Sequence, residues 1–146
     1  MLSCAIMYKH ILVTLDTTAC DRTILDHVKE LAKFCSSSVA LLHVADGWAA
    51  RRFGKDAVSP EIAEDTRYLQ QVKAELESAG IPTTAQLLYG EPKAEILNWV
   101  QENDCDLIAM GTHGHRFLAD LFLGATATHV QHRVDVPMLL IRMRTD

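Results

Sequence analysis

Apolar and polar positions follow two rhythms along this chain. Residues 10–15 (HILVTL), 39–44 (VALLHV), 83–89, 107–110 and 137–142 form short runs rich in β-branched and other apolar residues. Runs of this length predict strands. Between them apolar residues recur at intervals of three and four. The first such set is Ile24, Leu25, Val28, Leu31 and Ala32, and the second is Ile62, Leu69, Val72, Leu76 and Ala79. The third is Ile96, Leu97 and Val100, and a fourth segment runs from about Gly124 to Arg133. These predict four amphipathic helices. Asp16, Thr17 and Thr18 are residue types that start helices, and Asp16 is expected to cap one through the Thr18 or Ala19 amide. Gly80 with Pro82 marks a helix end, and Pro92 suits a first helical turn. Residues 46–60 show no period and are expected to be an irregular loop able to act as a lid.

The elements therefore alternate strictly, β-α-β-α-β-α-β-α-β. That order predicts an α/β fold with a parallel sheet, helices on both faces and right-handed crossovers. Ligands of such sheets bind outside the carboxyl ends of the strands, where strand order reverses. Asp16, Val44 with Ala45, and Gly111 all fall on that rim.

The stretch GTHGHRFLADLFLGAT follows the fourth strand and carries Gly111, Gly114 and Gly124. Glycine lets backbone amides approach a ligand closely. One glycine turn leaving a strand and another opening a helix predict a phosphate cradle.

A chain of 146 residues fits one domain, expected over residues 9–143 with 1–8 as a short extension. The net charge of −5 leaves no basic stripe for nucleic acid. Cys4, Cys20, Cys35 and Cys105 form no CxxC pair, so reduced thiols in a cytoplasmic protein are the expectation. No run approaches the ~20 apolar residues of a membrane span, and the N-terminus lacks the features of a signal peptide. His113, His115, His129 and His132 cluster without a carboxylate or cysteine at ligand spacing, which argues against a metal site. His43, inside the second strand, is expected to be a hydrogen-bonded core residue. Neither a GxxxxGK[ST] loop nor a G-x-S-x-G elbow is present. No base stands beside an activated nucleophile, so no catalytic residue is assigned.

KHILVTLD, VALLHV, GEPKAEIL, DCDLIAMGTHG and VPMLLIR together resemble the universal stress protein family across residues 9–142. The resemblance implies an open three-layer fold, adenine-nucleotide alpha-hydrolase-like, with a five-stranded parallel sheet in the order 3-2-1-4-5. The family's ATP-binding branch carries glycine, two residues, glycine, nine residues, glycine, then serine or threonine. Gly111, Gly114 and Gly124 keep that spacing, but Ala125 stands where the hydroxyl belongs, and Phe117 replaces a further glycine.

By this resemblance Asp16 would bond the ribose or the adenine edge, and Thr14 would line the adenine pocket. The Val44 backbone would read the base, and Met110 would pack beside base and ribose. Gly111, His113, Gly114, Gly124, Ala125 and Thr126 would surround the phosphates of ATP, AMP or ADP, with Mg²⁺ held through those phosphates. The implied role is a stress-response sensor or adaptor with at most slow ATP hydrolysis. It would act with an unknown protein partner and as a homodimer through the last strand, residues 136–142. The alternative is a dimeric stress or interaction protein that binds no nucleotide and whose glycine loop is only structural.

Overall fold

The computed structural model describes residues 7–112 and 124–142. Alternation along the strands gives the sheet two apolar faces. In β1 (His10–Leu15) the residues Ile11, Val13 and Leu15 point to one side and Leu12 to the other, all almost fully buried. A strand buried on both faces is apolar throughout and takes the centre of a parallel sheet. The order is β3-β2-β1-β4-β5, and every pairing is parallel. β2 is Ser38–Ala45, β3 Thr83–Tyr89, β4 Leu107–Gly111 and β5 Met138–Ile141.

Two helices cover the face carrying Ile11, Val13, Leu41 and Ala109. They are α1 (Cys20–Cys35), through Ile24, Leu25 and Val28, and a long helix, Pro60–Ser78, through Leu69, Val72 and Leu76. The opposite face, Leu12, Leu42, Val44, Ile108 and Met110, is covered by Ile96 and by Ala127 and Val130. Ile96 belongs to the helix Pro92–Glu102, the other two to Ala125–Gln131. Arg22 and Glu75 join α1 to the long helix by paired bonds of 2.8 and 3.1 Å.

Residues 46–60 depart from the expected irregular loop. They contain a helix, α2 (Trp48–Phe53), and a 3₁₀ turn, Gly54–Asp56. The long helix, α3, then starts at Pro60, capped by Ser59 accepting from the Ile62 amide at 3.2 Å. α2 buries only Ala50, which leaves no apolar period to read. The remaining helices are α4 (Pro92–Glu102) and α5 (Ala125–Gln131), the latter shorter than its sequence suggested. Cys105 carries a free thiol whose pKa burial raises. Cys35 is fully buried among the core side chains.

Candidate functional site

The chain leaves β1 toward β2 on one side, and β4 lies on the other. At this reversal the carboxyl ends of β1 and β4 border a cleft of about 420 Å³. Thr14, Asp16, Val44, Met110, Gly111, Gly124, Ala125 and Thr126 all line it. His113 and Gly114, also expected there, lie outside the described residues.

Strand alternation explains the wall. Thr14 sits two residues beyond Leu12, on the face shared with α4 and α5, and is 9% exposed. Val44 and Met110 end the same face on β2 and β4 and, with Leu42, Ile96 and Ala127, give the cleft an apolar side. Gly111 falls in the row of Leu107 and Ala109, on the opposite face. A Cβ there would lie 3.0 Å from Cys20 Sγ and 3.3 Å from Ile24 Cδ1. A Cβ on Gly124 would lie 2.6 Å from the Thr112 carbonyl oxygen. Contacts inside the protein thus demand glycine at 124 and leave little room for a Cβ at 111, and what each offers the cleft is backbone.

The rim at Asp16 is a tight turn, not a helix cap. The Asp16 carboxylate accepts from the Thr18 amide at 3.0 Å and from the Thr18 hydroxyl. This is an Asx-type turn. α1 begins later, at Cys20, with Ala19 as its uncapped N-cap. Thr17 between them takes φ +64°, which is uncommon for a β-branched residue.

Asp21 is a cleft residue that the sequence reading missed. It shares the apolar stripe of α1 with Ile24, Leu25 and Val28, and a carboxylate on such a stripe was the signal. It is 1% exposed. One oxygen accepts the Asp16 amide at 3.1 Å; the other accepts the Thr17 amide at 2.8 Å and the Tyr68 hydroxyl at 2.8 Å. Burial raises its pKa to about 6, and these bonds offset only part of the rise. The Tyr68 hydroxyl is pushed up by burial and by the Asp21 carboxylate.

His43 is the hydrogen-bonded histidine expected in β2. Its Nδ1 lies 2.7 Å from the Leu15 carbonyl and its Nε2 3.4 Å from Asp65 of α3. A carbonyl can only accept, so Nδ1 carries the proton.

Two further features bear on a ligand. Thr112 lines the cleft, and its buried hydroxyl has no hydrogen-bond partner among the described residues. Native proteins pair such groups, so an orphan is unusual. Among the described residues the lining holds three carboxylates, Asp16, Asp21 and Asp46, and no lysine or arginine.

A doubly wound sheet with a cleft at its switch point is a ligand-binding class of α/β protein. The sequence pattern of the universal stress protein family matches residues 7–142, and this chain belongs to that family. Universal stress protein MJ0577 of Methanocaldococcus jannaschii is 24% identical, with 96% of this chain and 98% of that protein aligned. The solved structure of MJ0577 superposes with a TM-score of 0.81 at 26% identity, covering 96% of this chain and 99% of that one. An Archaeoglobus fulgidus universal stress protein solved with dAMP has the same fold, with a TM-score of 0.68 and 21% identity over 92% of this chain and 98% of its own. A universal stress protein solved with cAMP gives 0.71 and 17%, over 93% and 98%. No helix among the described residues is long and apolar enough to cross a membrane.

Proposed function

We propose that the cleft binds an adenine nucleotide, ATP or its mono- or diphosphate, and that the protein is a nucleotide-linked sensor or adaptor in a stress response. The observation that carries this reading is the cleft at the switch point of the sheet, lined by Thr112, whose buried hydroxyl has no partner among the described residues. The rest of the lining suits the ligand in parts. Val44, Met110, Leu42 and Ile96 offer an apolar wall to a base, and Asp16 offers a carboxylate to ribose hydroxyls. The backbone of Gly124, Ala125 and Thr126 and the Thr126 hydroxyl offer donors to phosphates. Related proteins solved with dAMP and cAMP support the same ligand class.

The acidic lining sets a condition. Three carboxylates and no described cation repel a bare triphosphate. Mg²⁺ on the phosphates lowers that charge, so MgATP binds and free ATP binds weakly. Among the described residues no pair in the cleft has the geometry of a nucleophile and its base, and on this reading any hydrolysis is slow. β5 ends the sheet with Met138 and Leu140 half-buried, and residues 136–142 join two copies as a homodimer. We place the protein in the cytoplasm.

A second reading rests on the glycines. Packing against α1 and against Thr112 explains Gly111 and Gly124 without a ligand, and Ala125 lacks the family's hydroxyl. On that reading the protein is a dimeric interaction module. Denaturing the purified protein and chromatographing the released small molecules separates the two. Co-purified adenine nucleotide supports the first reading. An empty protein that also fails to bind added MgATP at millimolar concentration supports the second.

A further inference from the structure

We infer that Asp21, held by Tyr68, is a positioning residue of the cleft: it fixes the turn Asp16–Thr18 so that the Asp16 carboxylate stays on the rim. The inference rests on the nucleotide reading for its ligand and on geometry for everything else. The turn holds a β-branched residue, Thr17, at φ +64°. Such a conformation persists only where the surroundings over-determine it. Two sets of bonds do so here. The Asp21 carboxylate takes the Asp16 and Thr17 amides, and His43 takes the preceding carbonyl, that of Leu15. Both Asp21 and His43 are in turn met from α3, by Tyr68 at 2.8 Å and by Asp65 at 3.4 Å. A helix on one face of the sheet thereby sets the shape of the rim.

Asp21 is poorly suited to bind the ligand itself. It is 1% exposed, and three donors already occupy its two oxygens. It acts through Asp16. Loss of Asp21 therefore matters only while Asp16 is present, and a double-mutant cycle reads that dependence directly.

The experiment titrates MgATP into the wild type and into Asp21→Asn, Asp16→Ala and the double variant. Amide hydrogen exchange is measured at Asp16 and Thr17 in the ligand-free proteins. Asp21→Asn keeps the size but places an NH₂ group among the amide donors, so one oxygen-held bond is lost. The expected result is about tenfold weaker binding, as for loss of a hydrogen bond to a charged group. In the Asp16→Ala background the same change costs nothing. Exchange at Asp16 and Thr17 rises at least severalfold while the β1 core amides stay protected. Should Asp21→Asn fail to fold, Tyr68→Phe, which keeps the carboxylate, carries the test with a smaller loss in the same direction. Equal losses in both Asp16 backgrounds, or unchanged exchange at the two amides, would overturn the inference. A wild type that binds no MgATP overturns the nucleotide reading alone; exchange then decides whether Asp21 holds the turn.

Discussion

The Thr112 carbonyl oxygen lies 2.6 Å from where a Cβ on Gly124 would sit, so the exit of β4 and the start of α5 touch backbone to backbone. Real Cβ atoms do not approach that closely, and neither backbone is a flexible side-chain tip that can turn away. Gly124→Ala is therefore expected to push α5 off the sheet at its first turn. Overpacking of this kind costs about 1–3 kcal/mol. Urea unfolding measures the loss. MgATP affinity should fall with it, because the same backbone borders the cleft.

Gly111→Ala tests a different surface. Its Cβ would meet Cys20 Sγ at 3.0 Å and Ile24 Cδ1 at 3.3 Å, both on α1. Side chains can shift by a few tenths of an ångström, so a loss of about 1 kcal/mol is expected, at the low end of overpacking costs. Shrinking the neighbour should restore stability: Gly111→Ala with Ile24→Val should unfold later than the sum of the single effects. Simple additivity would show that the contact with Ile24 is not the cause and would leave the closer one, with Cys20 Sγ, to account for the loss.

Ala125→Ser restores the hydroxyl that the resemblance leads one to expect. If the phosphates lie against residues 124–126, the added donor should tighten MgATP by about tenfold. It should do little for adenosine, which has no phosphate. Equal gains for both ligands would place the phosphates elsewhere.

Asp21 also makes stability depend on pH. Its carboxyl titrates near pH 6 in the fold, against an ordinary value of 3.8. Between these values the folded state holds a proton that the unfolded chain has released, so stability falls as pH rises from about 4 to 6. Below that window both states are protonated, and above it both are ionised, so the contribution is constant. The full span is at most about 3 kcal/mol at 1.36 kcal/mol per unit. Asp21→Asn removes the titration. Relative to the wild type it should gain stability on going from pH 4 to pH 7, by denaturant unfolding at each pH. A difference between the two proteins that stays constant with pH would show that burial does not shift Asp21.

The layering was legible in the sequence because strand alternation and helical spacing report burial directly. Ile11, Val13 and Leu15 against Leu12, and Ile24, Leu25 and Val28 on α1, occupy the faces their spacing implies. The site was legible as a location. Asp16, Val44 and Gly111 lie at or next to the carboxyl ends of three strands, where the rule for open α/β sheets puts a cleft. What escaped depends on distant pairs. Asp21 reads as an acidic residue in a first helical turn until Tyr68, 47 positions later, is placed against it. The role of Gly111 reverses once α1 is packed beside it, because the contact with Ile24 is invisible in the linear chain. α2 was unreadable for another reason: with only Ala50 buried it leaves no apolar period, and Trp48 and Phe53 pack edge to face at 5.8 Å while staying exposed.

The most direct test of the central claim is calorimetric titration of nucleotide-free protein with ATP, with and without Mg²⁺. The account predicts saturable binding of MgATP at one site per chain with a micromolar dissociation constant. It also predicts clear weakening when Mg²⁺ is chelated, since three carboxylates line the cleft. No heat of binding up to millimolar MgATP would contradict it and leave the cleft to the interaction-module reading.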